Sequence, residues 1–167
     1  MSDYFEFFSN INPILIFILA PIVAGLTARA NVYTMMIIGT LVMALPTFLL
    51  VIGPRLIPFL AYILLMSIGE AMWQPRFLQW IAEVAPPGKT GLYMGIGQFP
   101  WFLTKFVTGL YSGYFVATYI PRPETGLPAN TEFLWLIYGV IAMISPVALI
   151  LARKWMMAGM KEKHENA

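Results

Sequence analysis

The sequence predicts an all-α membrane protein with five transmembrane helices in a single domain. Two observations carry this. Of its 167 residues 59% are apolar and only 11% are charged, with a mean hydropathy of +0.75, more apolar surface than a water-soluble domain of this size can hide. The apolar residues also fall into five long stretches, 11–28, 32–52, 56–83, 91–118 and 133–156. At about 1.5 Å per residue each is long enough to cross a hydrocarbon core of about 30 Å. Helices are the form expected, because an open sheet edge in lipid leaves backbone groups unpaired.

In chain order, the amino terminus Met1-Ser2-Asp3-Tyr4-Phe5-Glu6 is acidic where a signal peptide needs a basic start, so the first span is expected to be retained. The breaks between spans are short: Arg29-Ala30-Asn31, Gly53-Pro54-Arg55, and Ala85 to Thr90; a longer one, Tyr119 to Glu132, is rich in proline and polar residues. Pro21, Pro46, Pro75, Pro100 and Pro146 lie inside spans, where each removes a backbone hydrogen bond and bends its helix, a defect that lipid-embedded helices tolerate. Residues 157–167 form a charged tail, with His164 in solvent. The chain has no cysteine, which excludes disulfides, thiolate catalysis and thiolate metal sites. There is no His-Glu-x-x-His, no Gly-x-Ser-x-Gly and no histidine within a span, so an enzyme is not expected, nor is a metal, a cofactor or a nucleic-acid partner.

Basic loops stay cytoplasmic. With the amino terminus outside, Arg29, Lys89, Arg153, Lys154, Lys161 and Lys163 are cytoplasmic and only Arg55 and Arg122 face out, so the expected topology is amino terminus outside and carboxyl terminus inside. The lipid bilayer of a bacterial inner membrane is the expected location.

The ionisable residues within the spans are the functional candidates, because a charge at mid-bilayer costs about 2.5 to 3.5 kcal/mol on insertion scales and is rarely there without a partner or a water-filled cavity. Glu70 lies about 20 Å along the third span and Lys105 about 20 Å along the fourth, which places an acid and a base at similar depth on consecutive antiparallel helices. Trp73, Gln74 and Phe77 share the face of Glu70, at spacings of three, four and seven. Arg76 is turned about 120° away, with Gln79, Trp80 and Glu83, nearer the inner surface. Lys105 belongs to a polar stripe of Gln98, Trp101, Lys105, Thr108 and Ser112, which must face protein or water. Gly69 and Pro75 flank the acid and make a plausible bending point, a conformational hinge. Gly91 with Gly95 and Gly109 with Gly113 are small-residue pairs that suit close helix packing. Plainer roles stay open for these residues: a structural ion pair between Glu70 and Lys105, a structural pair of Arg76 and Glu83, packing or interfacial tryptophans, and methionines that fill gaps in the bundle.

Asn12-Pro13 with the later Ala20-Pro21, then Gly69-Glu70, Pro75, Ala85-Pro86 and Tyr93-Met94-Gly95, resemble in order the eighth, tenth and eleventh helices of the proton-dependent oligopeptide transporter branch of the major facilitator superfamily. The resemblance covers Asn12 to about Gly113, and the last span only as a generic final helix. It implies that the five spans correspond to helices eight to twelve, an incomplete carboxyl-terminal half of that fold. It also implies that Glu70 lines a central cavity, meeting a peptide's amino group or assisting proton coupling. Gln74, Arg76 and Lys105 depart from the pattern and put peptide specificity in doubt. The expectation is therefore proton-coupled uptake of a small solute such as a peptide by alternating access, with Glu70, Lys105, Gln98, Trp73, Gln74 and Trp101 as substrate-binding or proton-coupling residues and an amino-terminal half as missing partner. The alternatives are a stand-alone membrane protein of assembly or interaction, and a transporter fragment without function of its own.

Overall fold

Asn31 opens the most tightly packed part of the chain: its side-chain oxygen accepts the Thr34 amide at 3.0 Å and starts a helix that is apolar on every side. A computed structural model describes residues 2–53, 55–126 and 128–165, with side-chain surroundings for 10–53, 55–122, 124–126 and 128–158. Among the described residues there is no strand. The helices are α1 (Ser2–Leu26), α2 (Val32–Ala44), α3 (Leu56–Val84), α4 (Thr90–Tyr119) and α5 (Thr131–Glu165), with 3₁₀ segments at Leu45–Ile52 and Pro123–Thr125.

Val32–Ile52, Leu56–Val84 and Thr131–Ala158 are long and apolar enough to cross a membrane, and Asn10–Leu26 is a shorter apolar helix. These helices mark the chain as a membrane protein. The sequence predicts five spans of comparable character; α4 has the length, with 30 residues, but its polar stripe holds its hydropathy down. The outer faces fit lipid and would burden a soluble fold, since Phe17 is 83% and Leu151 79% exposed.

Element ends differ from the expected spans in instructive ways. The helix of the first span starts at Ser2, ahead of the apolar run, and stops at Leu26. The helix of the last span continues to Glu165, so the tail from 157 onward is helical over most of its length. Pro46 does more than bend its span: next to it the α-helix tightens into the 3₁₀ segment, which ends at Gly53 with φ +106°. Pro21, Pro75, Pro100 and Pro146 lie inside continuous helices. The proline-rich connection before α5 is pinned at both ends by Asn130, whose amide donates to the Tyr119 carbonyl at 2.6 Å and whose side chain accepts the Phe133 amide at 3.1 Å.

The core lies where α2 meets α3 and α5, with Tyr33, Met36, Ser67 and Pro146 almost wholly buried. The closest backbone approach is the α2–α3 crossing at Gly39 and Gly69: a Cβ on Gly69 would stand 2.5 Å from the Met43 amide nitrogen and 2.7 Å from the Gly39 carbonyl oxygen. Tyr33 ties α2 to α5 by donating its hydroxyl to the Leu149 carbonyl at 2.6 Å, and Phe48 lies against Gly139. In contrast, α4 has no buried residue. It leans on α3 through Gly97 against Ile81 and Trp101 against Trp73, and on α5 through Tyr111 and Phe115 against Tyr138.

Candidate functional site

Glu70 is half-buried on α3 and is held from α1. The side-chain amide of Asn12 donates to Glu70 Oε2 at 3.2 Å. The Ser67 hydroxyl, one turn before Glu70 on the same face, lies 2.6 Å from Asn12 Oδ1 and 2.7 Å from the Ile63 carbonyl. Ser67 thus occupies the oxygen end of the Asn12 amide and leaves its NH₂ end for the carboxylate. Such a charge-assisted bond to an ionised acid is stronger than a neutral one.

Glu70 also faces a half-open cavity of about 480 Å³ enclosed by four helices, within the size range of small-molecule sites. Met36, Thr40 and Met43 of α2 form one wall; Glu70, Trp73, Phe77 and Trp80 of α3 form the second. Pro100, Trp101, Thr104 and Lys105 come from α4, and Ser145, Leu149 and Met156 from α5. Trp73 stacks on Phe77 with centroids 5.0 Å apart and planes 10° from parallel, and meets Trp101 at 5.5 Å across the α3–α4 gap. The indole N–H of Trp80 is buried and has no hydrogen-bond partner among the described residues.

Of the residues predicted from sequence, Glu70, Trp73, Trp101 and Lys105 come together on this cavity. Gln98 is exposed elsewhere on α4, and Gln74 is half-buried outside the lining. Glu70 and Lys105 share the cavity without pairing: among the described residues Glu70 bonds to Asn12, and Lys105 is exposed with no hydrogen bond or ion pair. The Trp73–Trp101 and Ile81–Gly97 contacts fix the register of the antiparallel helices and carry Lys105 to the level of Glu70.

Arg76 takes another course. It is buried, and its guanidinium donates to the Thr27 carbonyl, to Thr27 Oγ1 at 3.1 Å and to Gln79 Oε1 at 2.7 Å; Gln79 in turn donates to Glu83 Oε1 at 2.8 Å. A buried cation therefore sits on the last carbonyls of α1, where the helix dipole favours positive charge. Arg76 does not line the cavity, whose basic residue is Lys105.

The glycine assignments need correcting. A Cβ on Gly91, Gly95, Gly109 or Gly113 would meet nothing within 4 Å, so none of the described residues packs closely against them. Four-residue spacing gives α4 a flat face, but that face turns away from its neighbours. Close packing is found instead at Gly39 and at Gly69, the residue expected to act as a hinge; Pro75 is half-buried inside an unbroken α3. Sequence reasoning also missed Asn12 and Ser67 as partners of the acid, and it grouped Trp80 with Arg76. Trp80 in fact continues the series 70, 73, 77, 80 along one helical stripe.

Fold and site together define an all-helical membrane protein with an aromatic cavity that carries one acid and one base. Comparison with family models, with curated proteins and with solved structures finds no match for this chain.

Proposed function

We propose that this chain is the carboxyl-terminal bundle of a secondary transporter resembling the proton-dependent oligopeptide branch of the major facilitator superfamily. It takes up a small solute with protons by alternating access, together with an amino-terminal bundle. The observation that carries the reading is that Glu70 and Lys105, on consecutive helices, face one half-open cavity in an otherwise apolar bundle. Unpaired with each other, both remain available to a solute. As a carboxylate Glu70 accepts from Asn12 and from a solute cation; once protonated it releases the cation. Exchange between those states couples solute to proton.

The distribution of Lys and Arg between loops supports a bacterial cell-membrane orientation with the amino terminus outside and the carboxyl terminus in the cytoplasm. The bare flank of α4, with Leu92, Ile96, Phe99, Phe102 and Leu110 each more than half exposed, supports a second bundle as partner. The test is Glu70→Gln at the native locus, with uptake of labelled tyrosine followed at several pH values. Loss of proton-linked uptake by tenfold or more is expected; unchanged uptake and pH dependence would remove the role given to Glu70. The same flank also favours the alternative of an assembly or interaction protein, which predicts that the 167 residues purify alone as a monodisperse species while no uptake depends on Glu70.

A further inference from the structure

The polar groups of the cavity are distributed along its depth. Glu70 and Lys105 face each other's level at the outer end, unpaired. Trp80 lines the cavity ten residues further along α3, roughly 15 Å along the helix axis. Between them run the rings of Trp73, Phe77 and Trp101.

We infer that the cavity takes a solute of the α-amino-acid type, with an ammonium and a carboxylate side by side at one end and an aromatic or apolar body. The inference rests on the reading of the cavity as a solute site. The ammonium meets Glu70 and the carboxylate meets Lys105, so each lone charge is matched by a neighbour of opposite sign. The body lies along the rings of Trp73 and Trp101. A dipeptide, whose two charges stand at opposite ends, cannot place both at the Glu70–Lys105 level. A simple anion leaves Glu70 facing a like charge, and a simple amine leaves Lys105 so.

The test uses the full chain purified in detergent and titrated with 4-nitrophenylalanine, whose nitro group quenches indole fluorescence. Trp73, Trp80 and Trp101 line the cavity, whereas Trp135 and Trp155 do not, so saturable, partial quenching is expected. Lys105→Gln and Glu70→Gln each weaken it tenfold or more, and Lys105→Arg retains it. 3-(4-Nitrophenyl)propionate and 4-nitrophenethylamine, each lacking one charge, bind at least tenfold more weakly than the amino acid, as does glycyl-4-nitrophenylalanine. Equal or tighter binding of any of these three overturns the proposal, as does binding of the amino acid that is indifferent to Lys105→Gln in a protein that still elutes like the native one. Absence of proton-linked uptake alongside selective binding would refute transport and leave the solute class standing.

Discussion

Gly69→Ala places a methyl group where α2 and α3 touch backbone to backbone. Its Cβ would lie 2.5 Å from the Met43 nitrogen, 2.7 Å from the Gly39 oxygen and 2.8 Å from the Met43 Cα, against 3.4–4 Å for ordinary contact. All three atoms are backbone, so none can rotate aside, and the helices must part by on the order of 1 Å. Overpacking of this kind costs about 1–3 kcal/mol, offset by about 0.5–1 kcal/mol because alanine is the better helix former. The net loss is about 0–2.5 kcal/mol, toward the upper end because the contacts are all with backbone. Gly109→Ala is the same chemical change where nothing lies within 4 Å, so only the helix-forming gain remains. At about 2–4 °C per kcal/mol for a chain of this size, the temperature at which half the protein leaves its monodisperse peak falls by several degrees for Gly69→Ala and holds or rises for Gly109→Ala. Equal shifts, or the reverse order, would refute the placement of close packing at Gly69.

Arg76→Met removes the buried donor from the Thr27 carbonyl, and hydrogen bonds to charged groups contribute about 1.5–3 kcal/mol. The end of α1 should loosen, and trypsin should cleave faster after the exposed Arg29 than in the native chain. Asn12→Ala removes the hydrogen bond that holds Glu70 and lowers the same half-loss temperature. Combined with Glu70→Ala it should show a coupling of about 0.5–3 kcal/mol between the two sites, and strictly additive shifts would contradict the bond. Tyr33→Phe, by deleting the 2.6 Å bond to the Leu149 carbonyl, should lower stability by about 0.5–1.5 kcal/mol, read in the same thermal assay.

The helices were legible in the sequence because hydropathy and length leave few options for a chain this apolar. Glu70 and Lys105 could be placed on one cavity because rise per residue fixes depth along a helix, and consecutive helices must run antiparallel. Which groups complete the site was not legible. Asn12 reaches Glu70 from 58 residues away, a contact that depends on how α1 leans on α3 and not on any local spacing. Arg76 and Thr27 are separated by 49 residues and meet for the same reason. The glycines of α4 had the right spacing and the wrong face, since spacing describes a surface without saying what lies opposite. At Pro46 the sequence foretold a defect but not its form, a 3₁₀ segment of eight residues.

The central claim is that the cavity holding Glu70 and Lys105 is reached by water while the outer helical faces are not. Because the chain has no cysteine, single cysteines report this directly. Thr104→Cys and Ser145→Cys on the cavity, and Leu151→Cys on the outer face of α5, are treated in membranes with a charged methanethiosulfonate, which reacts with the thiolate form found in water. The account predicts fast labelling at 104 and 145 and little at 151. Protection of 104 and 145, with 151 labelled, would contradict it.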